Sequence, residues 1–201
     1  GVAPVSFSLQ DIAPELSVAA LLHRILYGIA EVLEELRLAG REVPEFSPPG
    51  LDALSSHATL RFHETMSPLI RSMKHRSSSL GFVLLVDEFT DIFKEIRKGR
   101  IPREFMKAWK AIIEKKYFAS VLVGQDIMPA FKAEFPNEFG VTEDVRVTYL
   151  DAGAAATLVQ KPIGEQRFAG NAVPRLLELT AGSPYYTMMF CARLVDYMNA
   201  T

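Results

Sequence analysis

The chain has 201 residues, of which 49% are hydrophobic and 23% are charged, and its formal net charge is −2. This balance gives no electrostatic basis for binding nucleic acid or a membrane surface. The single cysteine, Cys191, excludes an internal disulfide, and no apolar run approaches the ~20 residues of a membrane span. We therefore expect a globular, cytoplasmic protein.

The hydrophobic pattern predicts strands and helices that alternate up to about residue 150, followed by helices alone. In chain order it predicts a strand at 3–9, a helix at 17–39, a proline-rich loop at 41–50, a helix at 53–76, a strand at 82–88, helices at 90–98 and 102–116, a strand at 117–124, an irregular stretch with one short helix at 125–140, a strand at 144–150, and helices at 152–161, 170–180 and 183–199. This order favours an α/β core with a parallel sheet over 1–151 and a small helical subdomain over 152–201.

Two adjacent acids, Asp87 and Glu88, end the most apolar of these strands, "FVLLV" at 82–86. A continuous apolar run is typical of a strand that is buried on both faces. Ligands of open α/β sheets bind beyond the carboxyl ends of the strands, and a nucleotide-hydrolysing site needs a carboxylate near magnesium and an oriented water. Neighbouring residues at a strand end point in different directions, so the two acids can divide these tasks. The alternative is a core strand that ends in solvated charges.

This strand and its two acids resemble the Walker B segment of the AAA+ and STAND groups of P-loop ATPases, which carry an additional catalytic glutamate. In those groups the next strand ends in a small polar sensor. Here "SVLVGQD" places Gln125 and Asp126 at that position, where Ser, Thr or Asn is more usual.

The C-terminal stretch carries a second resemblance. "AVPRLLELTAGSPYYTMMFCARLVDYMN" (172–199) is similar to the helical lid of bacterial STAND-type ATPases, and "ATLVQKPI" (156–163) is similar to the segment that precedes that lid. Gly182, Ser183 and Pro184 match the G-x-P element of the lid, whose proline packs on the adenine in relatives.

The resemblance implies a role for each matching residue in a longer, ATP- and Mg²⁺-dependent parent protein. It implies that Asp87 holds magnesium, that Glu88 orients or deprotonates the attacking water, that Gln125 or Asp126 senses the γ-phosphate, and that the turn Gly182, Ser183 and Pro184 contacts the base. Arg146 and Arg167 are both candidates for an arginine that acts on the γ-phosphate. Such modules act as switches on effector domains of the same chain.

One departure from the family matters more than any match, because the phosphate-binding pattern G-x-x-x-x-G-K-[ST] is absent. In the family this loop follows the first strand, so the chain begins at the family's second strand. We expect a fragment that binds no cofactor and hydrolyses almost no ATP alone. Without that first strand, we expect 117–123 and 144–150 either to pair directly or to recruit a strand from a second copy.

Two other functions remain open at this point. The first is a degenerate NTPase fold that is kept as a non-catalytic interaction scaffold. The second is an unrelated α/β enzyme that uses Asp87 and Glu88 as an acid–base pair, although it would lack a nucleophile or cofactor loop. The four histidines have no metal-ligand spacing, and we expect Cys191 to be an inert buried thiol.

Overall fold

The computed structural model describes residues 1–75, 80–162, 164 and 168–200. The chain forms two compact units, Gly1–Thr142 and Glu143–Thr201. The first unit is a three-stranded parallel sheet flanked by helices, which confirms the predicted α/β class. The second unit is helical in its described part. No helix in the described ranges is long and apolar enough to cross a bilayer.

The elements follow the predicted order, except that 144–150 forms no strand, the helix predicted at 53–76 is divided in two, and the stretch 125–140 holds two short helices. The strands are Val2–Ser8 (β1), Gly81–Asp87 (β2) and Phe118–Leu122 (β3), and a 3₁₀ helix occupies Leu9–Glu15. The helices are Val18–Leu38 (α1), Leu51–Ser55 (α2), Ala58–His75 (α3), Thr90–Arg97 (α4), Phe105–Glu114 (α5), Met128–Glu134 (α6), Pro136–Phe139 (α7), Ala152–Gln160 (α8), Ala172–Thr180 (α9) and Pro184–Ala200 (α10).

The parallel register brings the carboxyl ends of all three strands to one edge of the sheet. The strand order is β1-β2-β3, with Ser8 opposite Asp87 and Val86 opposite Leu122. The pairing continues one residue beyond β3, because the Val123 N–H donates to the Val86 carbonyl at 2.8 Å. The acids that follow β2 and the polar residues that follow β3 therefore share this edge.

Strands β1 and β2 are fully buried on one face only. Successive side chains of a strand point to opposite faces, and the buried face carries Ala3, Val5, Phe7, Phe82, Leu84 and Val86. On the other face Val83 and Leu85 are half-buried and Pro4 is exposed. The prediction that 82–86 is buried on both faces is therefore wrong, since the helices leave the second face partly open. Pro4 is tolerated because β1 is an edge strand.

The helix predicted at 53–76 is interrupted near its start. Helix α2 ends at Ser55, Ser56 is extended, and His57 has a left-handed φ of +63°. Neither conformation fits within an α-helix, so α3 begins only at Ala58. The apolar spacing did not reveal this break because it continues through α3.

The strand predicted at 144–150 is wrong. Residues 143–150 form no strand, and the side chains of Val145, Val147 and Tyr149 are 84%, 92% and 65% exposed. An alternating pattern stabilises a strand only when a neighbouring edge supplies its hydrogen bonds. Within the described ranges β3 is an edge strand of the sheet, so the direct pairing of 117–123 with 144–150 is wrong as well. Recruitment of a strand from a second copy stays a prediction.

We expect His63 to make the first unit less stable in mild acid. The Tyr117 hydroxyl lies 3.1 Å from His63 Nδ1 and 2.9 Å from Ser67 Oγ. Burial, and secondarily the charge of Lys115, lower the pKa of His63 below its ordinary value of 6.5. As the pH decreases below that value, the unfolded chain binds more protons than the folded chain, so the free energy of unfolding decreases. The decrease ends once the pH is below the lowered pKa of His63 in the folded chain.

The measurement is the urea midpoint of the first unit between about pH 7.5 and about pH 5. We expect the acid-induced drop to be smaller in His63→Gln than in the parent chain. His75→Gln, at the exposed end of α3, serves as the control and should keep the full drop. An equal drop in His63→Gln and the parent chain would assign the effect to other groups.

Candidate functional site

Asp87 is the last residue of β2 and lies exposed at the carboxyl edge of the sheet. Its Oδ1 accepts a hydrogen bond from the Glu88 N–H at 2.8 Å, which leaves Oδ2 outside this bond. Gln125 and Asp126 follow β3 at the same edge and are also exposed. The structure therefore brings these four predicted residues to the kind of edge where ligands of open α/β sheets bind.

Glu88 combines two unfavourable features. Its φ is +56°, a left-handed conformation that costs about 1–2 kcal/mol for a residue with a side chain. Its Oε2 is buried and has no hydrogen-bond partner in the described part of the chain. Burial of an unpaired polar atom also costs free energy. Strained conformations and unsatisfied buried polar atoms persist mainly where function requires them, so Glu88 is the strongest candidate for a catalytic or binding residue.

The charges around Glu88 are mainly negative. The neighbouring cation is Lys94, whose Nζ donates to Asp91 Oδ1 at 2.6 Å. This hydrogen bond raises the pKa of Lys94 against the opposing effect of its burial, and the charges of Asp91 and Glu88 add to the rise. Lys94 is thus bonded to Asp91, and no donor in the described part of the chain bonds to Glu88 Oε2. An acidic edge of this kind attracts cations.

The site suits magnesium that is shared with a ligand. No group of three or more His, Cys, Asp or Glu side chains within the described ranges could form a metal cage. Mg²⁺ usually keeps several waters and is held by one or two carboxylates together with substrate phosphates. Asp87, whose Oδ2 lies outside the bond to the Glu88 N–H, provides one such carboxylate. This residue fits a magnesium ion that is bound jointly with phosphate.

No family model, curated protein or solved structure matches the chain. Assignment to a family therefore depends on the motifs and on the geometry of this edge.

Two residues at the edge were missed by the sequence analysis. Ser8 ends β1 directly opposite Asp87, but its hydroxyl accepts the Gln10 N–H and caps the following 3₁₀ helix. Thr90 is fully buried, and its hydroxyl accepts the Gln125 N–H at 3.4 Å. The predicted parallel order could have pointed to Ser8, because parallel strands end together. No local pattern indicates the contact of Thr90 with the end of β3.

In the second unit, the Gly-Ser-Pro turn joins α9 to α10. The Gly182 carbonyl accepts the Leu150 N–H at 2.9 Å, and the Ser183 hydroxyl accepts the Tyr186 N–H at 3.4 Å, as expected of a residue that caps a helix. Pro184 occupies the first position of α10, where the missing N–H costs nothing. Gly182 and Ser183 are buried, and Pro184 is exposed. The turn thus has a complete structural role, and its contact with a base stays a prediction.

The remaining candidates gain less support. Arg146 is exposed in the stretch 143–150, and Arg167 lies outside the described residues. Cys191 is half-buried, and burial raises the pKa of its thiol. A raised pKa lowers the fraction of reactive thiolate, which agrees with an inert cysteine.

Proposed function

We propose that the chain is the Walker B and lid part of a STAND-type ATP-binding switch module. The observation that carries this proposal is Glu88, with its left-handed backbone and its buried, unpaired carboxylate oxygen beside Asp87. A core strand that merely ended in solvated charges would not need either feature. The three parallel strands that end at this edge support the P-loop arrangement.

The proposed roles are those that the resemblance to STAND-type ATPases implies for these residues. Magnesium, when bound, would neutralise charge on the phosphates. Asp87, exposed at the strand end, would hold that ion directly or through water. Glu88 would accept the proton of the water that attacks the γ-phosphate, since its Oε2 has no hydrogen-bond partner within the described ranges. Gln125 and Asp126 would contact the γ-phosphate from the end of β3.

Nucleotide affinity would come mainly from outside this chain. The sequence contains no G-x-x-x-x-G-K-[ST] loop, so the backbone N–H groups and lysine that hold phosphates would belong to a longer protein. In that protein, the nucleotide state would bias how the lid sits on the core, and attached effector domains would respond.

A manganese titration tests the metal site in the chain as it stands. Mn²⁺ replaces Mg²⁺ at oxygen sites and broadens nearby amide resonances. We expect the amides of 87–90 and 124–126 to broaden first, and we expect Asp87→Asn to abolish this preference. Asp52→Asn, an exposed acid in α2, should not change it. Equal broadening in Asp87→Asn and the parent chain would remove Asp87 from its proposed role. A calorimetric titration with Mg-ATP should give no detectable heat.

The rival function is a non-catalytic interaction scaffold on a degenerate NTPase fold. The observation that favours it is α10, where Tyr185, Tyr197 and Met198 are 71%, 68% and 73% exposed. A helix with apolar residues on all sides usually packs against a partner. The sequence upstream in the full gene separates the two functions. A G-x-x-x-x-G-K-[ST] loop there would favour the switch, and its loss would favour the scaffold.

A further inference from the structure

The turn that carries Glu88 is attached to the end of β3 at three points. The Phe89 N–H donates to the Val123 carbonyl at 2.8 Å, and the Gln125 N–H donates to the Thr90 hydroxyl at 3.4 Å. The third point is the packing of Gly124 against the Thr90 side chain. These contacts join the two segments that carry the candidate catalytic residues.

Gly124 permits an unusually close approach of the backbone. A Cβ atom at this position would lie 2.7 Å from Thr90 Cγ2 and 2.5 Å from Met128 Cε, both closer than real side chains come. Thr90 is fully buried, so its methyl group has little freedom to move away. The methyl and the hydroxyl of one residue thus determine where the backbone of 124–125 lies.

We propose that Thr90 is a positioning residue that couples the Gln125 segment to the conformation of Glu88. The coupling runs through a short, continuous path. Phe89 is fully buried and bonded to Val123, and the Glu88 carbonyl accepts the Asp91 N–H at 2.8 Å within the first turn of α4. A displacement of the backbone at 124–125 therefore moves Thr90, against which Gly124 packs. Glu88 begins the turn that carries Thr90, and its φ is the torsion that changes in response.

The 3.4 Å bond to Thr90 exceeds the usual range for N–H···O bonds, so it is weak, and the close packing of Gly124 against Thr90 transmits most of a displacement. A ligand that moves the Gln125 segment would therefore act on Glu88 mainly through this packing. This response to a ligand rests on the proposed function, in which Gln125 is the sensor and Glu88 is the group that responds. The coupling itself concerns only the contacts of the chain without nucleotide.

NMR spectroscopy of the ligand-free chain tests the coupling. The observables are the three-bond HN–Hα coupling and the Cα shift of Glu88, which report φ, and the exchange rate of the Gln125 amide. We expect Thr90→Val, which keeps the shape but removes the acceptor, to speed Gln125 exchange roughly three- to tenfold, as for one lost hydrogen bond. It should also shift the Glu88 signals. Thr90→Ser, which keeps the hydroxyl, should leave both observables close to those of the parent chain.

A double-variant cycle tests the packing part of the coupling. Gly124→Ala should displace the Gln125 segment and change the Glu88 signals. Thr90→Ser removes Cγ2 and should partly rescue Gly124→Ala, because contacting residues show non-additive effects. Thr142→Val, which loses a hydroxyl bonded to the Phe139 carbonyl, is the control and should leave Glu88 unchanged.

Unchanged Glu88 signals in both Thr90→Val and Gly124→Ala would overturn the proposal. The proposal would also be overturned if Thr90→Ser changed the Glu88 signals as much as Thr90→Val does and also failed to restore them in Gly124→Ala. These readouts involve neither metal nor nucleotide. A failed manganese titration would therefore count against the proposed function and leave the coupling intact. Unchanged Glu88 signals in the NMR experiments would count against the coupling and leave the proposed function intact.

Discussion

Replacing Gly182 by alanine is expected to destabilise the second unit by about 2–5 kcal/mol, the sum of backbone strain and overpacking. The φ of Gly182 is +76°, and a Cβ atom there would lie 2.4 Å from the Leu150 carbonyl oxygen. That oxygen belongs to the backbone and cannot rotate away as a side chain would. The Leu150 N–H also donates to the Gly182 carbonyl, so relief of the clash would break this bond.

The measurement is amide hydrogen exchange across α8, α9 and α10, which reports opening of the second unit separately from the first. Gly170→Ala is the matched control, because its φ is +41° and no atom of the described residues lies within 4 Å of an added Cβ. It should cost only the strain, about 1–2 kcal/mol. Ala181→Gly should act in the opposite direction by about 0.5–1 kcal/mol, since Ala181 has a φ of +50° at the end of α9. Equal losses for Gly182→Ala and Gly170→Ala would show that the approach to Leu150 is looser than the structure indicates.

The long elements could be predicted from the sequence because each carries its own signal. Helix α1 repeats apolar residues along one face, and β2 is a dense apolar run that ends in acids. The stretch 144–150 shows where such signals fail. Its alternation was as regular as that of β1, but a strand also needs an edge to pair with, and sequence pattern does not show which edges are available.

The same distinction applies to the candidate site. The positions of Asp87 and Glu88 followed from a buried strand that ends in two acids. The left-handed backbone of Glu88 could not be predicted, because glutamate has no local preference for it and the surrounding contacts impose it. Thr90 and Gly124 were missed for the same reason, since their contact joins residues 34 positions apart across two strands. Local rules fail first where tertiary contacts override them, and such places are often functional.

These observations imply that the edge of the sheet is optimised for something other than stability. In the part of the chain that the structure describes, four non-glycine residues have a positive φ, namely His57, Glu88, Lys116 and Ala181. Glu88 is the one that also has a buried, unpaired oxygen in the described ranges. A residue that was selected for stability alone would be glycine or asparagine at this position.

Replacing Glu88 by glycine is therefore expected to stabilise the first unit by about 1–3 kcal/mol, from relief of backbone strain and removal of the unpaired oxygen. Glu88→Gln keeps the strain and leaves a buried polar atom, so its effect should stay within about 0.5 kcal/mol. If the proposed function holds, both variants should lower ATP hydrolysis by a longer protein with a phosphate-binding loop roughly 10²–10⁴-fold, through loss of the proposed general base. The stability measurement is urea unfolding of the first unit.

Lys116→Gly provides the control for strain alone. Lys116 has the same φ of +56° between α5 and β3, but it is exposed. Its replacement should stabilise the first unit by about 0.5–1 kcal/mol, the usual gain from relief of a left-handed residue after the entropy of glycine is subtracted. The difference between Glu88→Gly and Lys116→Gly then measures the cost of the unpaired carboxylate. A Glu88→Gly variant that is no more stable than the parent chain would show that the Glu88 side chain is satisfied in solution. Glu88 would then carry no unsatisfied group that a catalytic role explains.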